Sequence, residues 1–285
     1  MARLVTYRVQ DIVGAPGTTG LIGQFASRHS GTGTALLRDT AHQLLARGAT
    51  RVLGPMNGST WARYRFALQE PSSATNVLPF LGEPSNPVEY PAQFIAAGFR
   101  ETAGYESRIT RDIHAANSRA TAAEATASAR GIVVAPIELA RFDDELRALH
   151  ELSVRTFAGN LYYSPIGVEE FISAYTPMRA LLDPSFVLLA RAADASLIAY
   201  VFAYPDPVSL HAGRPHRLIL KTLAVDPAWR GIGIGALLVE RLHLAARARG
   251  LTAVIHALMQ VDNDSMKISA HTTQLFRRYA MYEFP

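Results

Sequence analysis

Residues 217–250 read RLILKTLAVDPAWRGIGIGALLVERLHLAARARG. Ile219, Leu220, Leu223, Ala224 and Val225 form an apolar run with β-branched members, the pattern of a buried strand. Asp226-Pro227 stops it. Arg230-Gly231-Ile232-Gly233-Ile234-Gly235 is a glycine-rich turn, and Ala236, Leu237, Leu238, Leu242 and Ala245 then recur at helical spacing until Gly250. The first N–H groups of a helix lack internal partners, and the helix dipole favours an anion beside them. Glycines let backbone amides approach closely, and Arg230 adds a fork of cationic donors. Strand, loop and helix together therefore predict a cradle for a diphosphate.

Two readings of that cradle fail on detail. A nucleotide-triphosphate P-loop needs Gly-Lys-Ser/Thr where this chain has Gly235-Ala236-Leu237. A dinucleotide fingerprint fits Gly231, Gly233 and Ala236 by letter, but Asp226 to Arg230 separate the turn from its strand. No acidic residue stands about 20 residues further on, where Gly250-Leu251-Thr252-Ala253 is found. The third reading rests on resemblance. Leu223-Ala224-Val225-Asp226-Pro227 followed by Arg230-x-x-Gly233-x-Gly235 and an apolar helix resembles motif A of the GNAT superfamily, the acyl-CoA-dependent N-acetyltransferases.

The resemblance implies an α/β (α+β) fold with a mixed sheet and acetyl-CoA as co-substrate. It implies that Leu223, Ala224 and Val225 lie beside the pantetheine arm, and that Arg230, Gly231, Ile232, Gly233, Ile234, Gly235 and Ala236 hold the diphosphate. Asn263 resembles the asparagine of motif B that contacts the same arm. The chain departs from the pattern in its last hairpin, which lacks Gly-Phe, and in having Ala270 seven residues after Asn263 where a tyrosine is usual.

The motif occurs twice. Arg28-His29-Ser30-Gly31-Thr32-Gly33 also fits R-x-x-G-x-G and opens an apolar-periodic segment. Arg28 to Gly48 and Arg230 to Gly250 both span 20 residues, and Arg-Gly-x-Thr closes each. Gly98-Phe99 and Tyr105 resemble the end of a GNAT domain, which supports the repeat. The first copy has only 27 residues ahead of its arginine, where the second has about 100 counted from Gly131. We therefore expect two GNAT-like mixed-sheet domains: a truncated, degenerate one over 1–112, an Ala-rich helical linker over 113–130, and an acetyl-CoA-binding domain over 131–285.

Around these motifs the periodicity predicts strands at Leu4–Val9, Leu21–Phe25, Thr50–Gly54, Ile132–Ile137, Phe186–Arg191, Leu197–Tyr204, Ala253–Met259 and Phe276–Phe284. It predicts helices at Trp61–Leu68, Tyr90–Ala97, Asp143–Phe157 and Val168–Tyr175, and one capped by Asp262-Asn263-Asp264-Ser265 and running to about Ala270. The loop holding Glu83 and Asn86, and that holding Asp206 and His211, read as solvated.

Length and apolar content suffice for two cores. A net charge of +4 without a Lys/Arg cluster gives no reason to expect nucleic acid. Zero cysteines exclude disulfides, thiolate zinc sites and a cysteine acyl-enzyme, and no metal is expected. The start MARLVTYRVQ shows no apolar leader, and no run is long enough to span a bilayer, so a cytoplasmic protein without a membrane partner is expected. Oligomeric state is left open, a homodimer included.

The implied reaction is direct attack of a small-molecule amine on the acetyl-CoA thioester. It needs a polarised carbonyl, a neutral amine and a protonated leaving thiolate. Backbone amides near Leu223 and Val225 serve the first need. Some members place a carboxylate on the central strand, where this chain offers Ile219, Lys221 and Thr222, so the base is elsewhere or is water. His256 is the imidazole candidate. Tyr279, with Tyr282 behind it, is the candidate proton donor to the thiolate. Lys221 reads as a holder of an acidic acceptor or a partner of a nearby carboxylate. A non-catalytic acyl-CoA-binding or scaffold protein and a protein N-acetyltransferase are the alternatives.

Overall fold

The computed structural model describes residues 1–68, 78–114, 118–180, 182–263 and 273–285. In chain order the first half runs β1 (Ala2–Ile12), β2 (Ala15–Ser27), α1 (Ser30–Ala46), β3 (Arg51–Gly54), β4 (Phe66–Ala67), α2 (Tyr90–Ala97) and β5 (Arg100–Thr110). After α3 (Ser118–Ala129) come β6 (Val133–Pro136), α4 (Phe142–Phe157), α5 (Val168–Tyr175), β7 (Val187–Arg191) and β8 (Leu197–Pro205). A small hairpin, β9 (Leu210–His211) and β10 (Arg214–Pro215), leads to β11 (Arg217–Val225), α6 (Ile234–Ala248), β12 (Ala253–Gln260) and β13 (Gln274–Phe284). No helix of the described residues is long and apolar enough to cross a membrane.

One mixed sheet carries ten strands in the order β1-β2-β3-β13-β5-β12-β11-β8-β7-β6, with β4 beside β13. Its two parallel joints are β2 with β3 and β11 with β12. Parallel neighbours require a crossover, and α1 and α6 supply the two. Both helices stop the same way, at Arg47 before Gly48 (φ 91°) and at Arg249 before Gly250 (φ 74°). The repeated motif is thus a repeated β-α-β unit.

The halves exchange their last strands. β5 of the first half pairs antiparallel with β12 of the second, β13 pairs antiparallel with β3 of the first, and β5 and β13 pair with each other at the centre.

Three apolar layers hold the helices to the sheet. Leu37, Ala41 and Leu44 of α1 meet Phe94 and Ala97 of α2 over Val52 and Tyr282. Leu146, Leu149 and Leu152, three apart along α4, meet Phe171 of α5 over Val187, Leu189 and Ala224. Leu237, Leu238 and Leu242 of α6 lie over Leu218, Leu220 and Val254. The 113–130 stretch contains a helix with one buried face, Ala120, Ala123 and Ala127, laid against α6, and Arg241 bonds Glu124 across the joint at 2.5 Å. Alanines let the two backbones approach closely.

Trp61–Leu68 is not a helix. Arg65 within it adopts left-handed backbone (φ 66°), which a helix cannot include, and the segment folds back after left-handed Gly58 with Tyr64 bridging to Met56 before β4. Trp61 then docks on the second half: its Nε1 donates to Ser164 O at 2.9 Å and its ring meets Phe171 and Tyr163 edge-on. Nothing is described for 264–272, where the expected motif-B helix falls.

Candidate active site

β11 and β12 run together from Arg217 opposite Ala253 to Leu220 opposite His256, and pair no further. Both strands are irregular at the level where they part. β11 shifts register against β8 between Leu220 and Thr222, so that Lys221 is the extra residue of a bulge. β12 shifts against β5 between His256 and Met259, with Leu258 held at φ 59°. The result is an opening between the C-terminal ends of two parallel strands, one wall being Lys221–Val225 and the other 257–260.

The glycine loop stands at its wide end. The Asp226 carboxylate accepts from Ala228 N at 3.0 Å, and Pro227 starts a single turn of 3-10 helix. Gly231 and Gly233 then take left-handed backbone (φ 85° and 84°), and Gly233 is the N-cap of α6. The first α6 bond that closes here runs from Leu237 N to Gly233 O at 3.0 Å, so the helix itself offers no acceptor to the amides of Ile234, Gly235 and Ala236. No acidic side chain lies in that first turn, and Arg230 is exposed beside it. These features suit an anion. Gly233 is needed for space as well, since a Cβ on it would fall 2.8 Å from Ala123 Cβ of α3.

The first half treats the same motif differently. β2 parallels β3 only from Thr19 to Leu21, and the gap beyond is closed by the chain itself. Met56 N donates to Ile22 O at 2.8 Å, Gln24 N donates to Asn57 Oδ1 at 2.9 Å, and a Cβ on Gly23 would fall 2.5 Å from that oxygen. α1 already begins at Ser30, so Gly31 and Gly33 lie within the helix and not in a left-handed turn. Gln93 and Ser27 press on Gly33.

On the side of β11 away from α6, first-half residues wall the opening. Arg65 is 8% exposed; its guanidinium lies 3.8 Å from the Tyr64 ring centre and 4.1 Å from that of Tyr105, and Nη1 donates to Leu258 O at 2.9 Å. Ser107 Oγ accepts from Leu258 N at 3.0 Å and stands 3.0 Å from the Tyr279 hydroxyl. That hydroxyl donates to Glu83 Oε1 at 2.5 Å, which also accepts from Arg277 Nε at 2.6 Å. Burial and the Glu83 charge hold Tyr279 far above the usual phenol range, so it stays a donor. Lys221, at the bulge, is exposed on its solvent side. Desolvation lowers its ammonium to about 8, and the Arg65 charge pushes the same way. Thr222 forms part of an apolar pocket beneath α4 and α5 with Phe171, Tyr175, Tyr200 and Phe202.

Leu223, Ala224 and Val225 lie on the β11 wall, Arg230 to Gly233 form the loop, and Ile234, Gly235 and Ala236 form the first turn of α6 with Ile234 and Ala236 buried. Only main-chain atoms of those last three can therefore face a ligand. Asn263 sits in the turn after β12, its amide donating to Gln260 O. His256 belongs to the other face: it is 4% exposed, its ring centre is 6.3 Å from that of His243 on α6, and burial lowers it to about 3. This is the setting of a core imidazole kept neutral, and it removes His256 from the chemistry. Tyr282 packs with Phe66 and Phe94 in the first-half core, away from the opening.

The two loops expected to be solvated are largely exposed, but each buries one carboxylate. Glu83 is buried against Tyr279, while Asn86 bonds only the main chain of Ala67 and Pro87. Asp206 has no exposure and pairs with Arg217 at 2.6 Å, although His211 does lie in an exposed hairpin. Arg65 and Ser107 went unnoticed in the sequence. Neither belongs to a motif, and each reaches β12 only through the exchanged topology.

Residues 146–268 match the model of the acetyltransferase (GNAT) family. Comparison with curated proteins finds no match. Among solved structures, a glucosamine N-acetyltransferase region of a fungal multi-domain β-N-acetylglucosaminidase aligns with 99% of this chain at 17% identity and a TM-score of 0.58; this chain spans 31% of that one. A GCN5-related N-acetyltransferase from Sphaerobacter thermophilus aligns with 98% at 14% identity, TM-score 0.57, over 75% of its length. One from Anabaena variabilis aligns with 99% at 10% identity, TM-score 0.53, over 58% of its length. Identities this low speak for the fold alone, and nearly the whole chain follows it.

Proposed function

We propose that the second half binds one acetyl-CoA in the opening between β11 and β12 and transfers its acetyl group to an amine of a small molecule. The observation that carries this reading is the combination of parted parallel strands with a left-handed glycine turn at their wide end. The amides of Ile234, Gly235 and Ala236 with Arg230 suit the diphosphate, and the free edge of Leu223–Val225 suits the amide-rich pantetheine arm. In the first half both features are missing, because Asn57 and Met56 fill the gap and α1 absorbs the glycines. That half serves as a wall of the site, which favours a small acceptor over a protein chain.

The amine nitrogen attacks the thioester carbonyl carbon, the C–S bond breaks, and the thiolate takes up a proton. Main-chain amides on the β11 wall stabilise the oxyanion. No carboxylate stands on β11 at the opening, so the amine proton leaves to water. The thiolate takes its proton from water, and Tyr279, kept protonated and turned from Glu83 to Ser107, supports the developing charge through a hydroxyl chain, Tyr279 O–H to Ser107 Oγ and Ser107 O–H to sulfur.

Calorimetric titration of acetyl-CoA, followed by thiol release with a panel of amines, tests the reading. One site per chain and amine-dependent thiol release are expected. Tyr279→Phe lowers kcat by ~10²-fold with acetyl-CoA affinity kept. Binding without release from any amine would support a non-catalytic acyl-CoA-binding protein, the reading favoured by the absent strand carboxylate. No binding at all would end both.

A further inference from the structure

Arg65 and Lys221 lie close enough for their charges to interact, and neither forms an ion pair among the described residues. Arg65 is as buried as Arg217, each being about 8% exposed, but Arg217 has Asp206 at 2.6 Å while Arg65 forms no ion pair among the described residues. Its hydrogen bond goes to a main-chain carbonyl, Leu258 O, and its buried Nε has no partner. A charge withdrawn from water normally needs a paired and hydrogen-bonded counter-charge. Here two tyrosine faces hold the guanidinium in place without neutralising it. The backbone is also committed, because Arg65 occupies left-handed space at φ 66°, a conformation that costs a non-glycine residue ~1 kcal/mol and persists where the surroundings demand it. On the opposite wall the bulge in β11 inserts Lys221, which has no ion pair among the described residues either. Arg65 is near enough to act on the Lys221 charge, and no carboxylate of the described residues counteracts it.

We propose that Arg65 and Lys221 together form the receptor for an anionic group on the acceptor, so that the substrate class is an amine that also carries a carboxylate or a phosphate. The proposal rests on the acyl-transfer reading for the word acceptor, but the receptor itself does not depend on it. The anion would sit between the Leu258 wall and the β11 wall, with Nε of Arg65 and the Lys221 ammonium as donors, and would place the tethered amine over the parted strands. Guanidinium and ammonium both bind either oxyanion, and the arms of the test separate the two.

The test uses the full chain and two probe pairs, N-acetylglycine against N-acetylglycinamide and phosphoethanolamine against ethanolamine. Each is titrated by ligand-observed NMR with and without saturating CoA. The anionic member of at least one pair is expected to bind ~10-fold or more tightly than its neutral counterpart, and the pair that shows it identifies carboxylate or phosphate. Lys221→Met and Arg65→Gln each erase that preference. Lys221 is solvent-accessible, so its variant reports even if Arg65→Gln fails to fold. Equal binding within both pairs, or a preference that survives Lys221→Met, overturns the proposal. A preference seen in a chain that does not bind CoA supports the receptor and refutes the acyl-transfer reading.

Discussion

Gly31 and Gly233 hold the same place in the repeated R-x-x-G-x-G motif, yet the structure assigns them opposite responses to one methyl group. At Gly233 the backbone is left-handed (φ 84°), which costs an alanine ~1–2 kcal/mol. Its Cβ would stand 2.8 Å from Ala123 Cβ, well inside contact distance, so α3 or the loop must move; overpacking of this kind costs ~1–3 kcal/mol. Gly233→Ala is therefore expected to destabilise by ~2–5 kcal/mol. At Gly31, in the first turn of α1, a Cβ meets nothing within 4 Å and the backbone is not left-handed. Gly31→Ala is expected to stabilise by ~0.5–1 kcal/mol. Urea unfolding of the two variants measures the difference, which should reach ~3 kcal/mol or more. Acetyl-CoA titration should be unchanged in Gly31→Ala and weakened in Gly233→Ala. Ala123→Gly in the Gly233→Ala background removes the clash but keeps the backbone strain, so it should recover about half of the loss. Equal responses of the two glycines would refute the account of why only one loop is open.

Asp206→Ala leaves Arg217 buried without its carboxylate and should lower unfolding stability by ~3–5 kcal/mol, measured by urea titration. His256 and His243 are lowered by burial to about 3 and about 4, below the 6.5 of a free imidazole. The unfolded chain therefore binds more protons between those values, and stability present above pH 6.5 is lost as the pH falls; His256 alone accounts for ~3 kcal/mol by pH 4. Thermal melts from pH 7 to 4 should show that loss, and His243→Gln should flatten part of it. Lys221 is lowered to about 8 from 10.5, so the unfolded chain binds the extra proton in that window and stability rises with pH through it. Melts of Lys221→Met from pH 7.5 to 10 should lack that rise.

What could be read from the sequence was what depends on neighbours along the chain. The bounds of α2 and α5 coincide with their apolar periodicity, and the glycine loop was legible because its function needs main-chain amides and absent Cβ atoms. Lys221 stood out as a charge on an apolar strand. The failures are all non-local. Trp61–Leu68 has helical composition, but left-handed Arg65 breaks it, and that angle is not visible in the letters. Arg65 and Leu258 bond across 193 residues of sequence. Glu83 reads as a polar loop residue until Arg277 and Tyr279 arrive from the far end of the chain. The strands β5 and β13 each have a pattern that would close either half, so their exchange could not be chosen from pattern alone.

That exchange has a mechanical consequence. Two-lobed enzymes commonly admit substrate by swinging the lobes about a linker, but here the linker is not the connection that matters. The central pair β5–β13 is hydrogen-bonded outward to β12 on one side and β3 on the other, so each lobe holds a strand of the other clasped within it. Parting the lobes means unzipping the middle of the sheet. Arg65, Ser107 and Tyr279 are thereby fixed against β12 as firmly as if one uninterrupted fold had produced them.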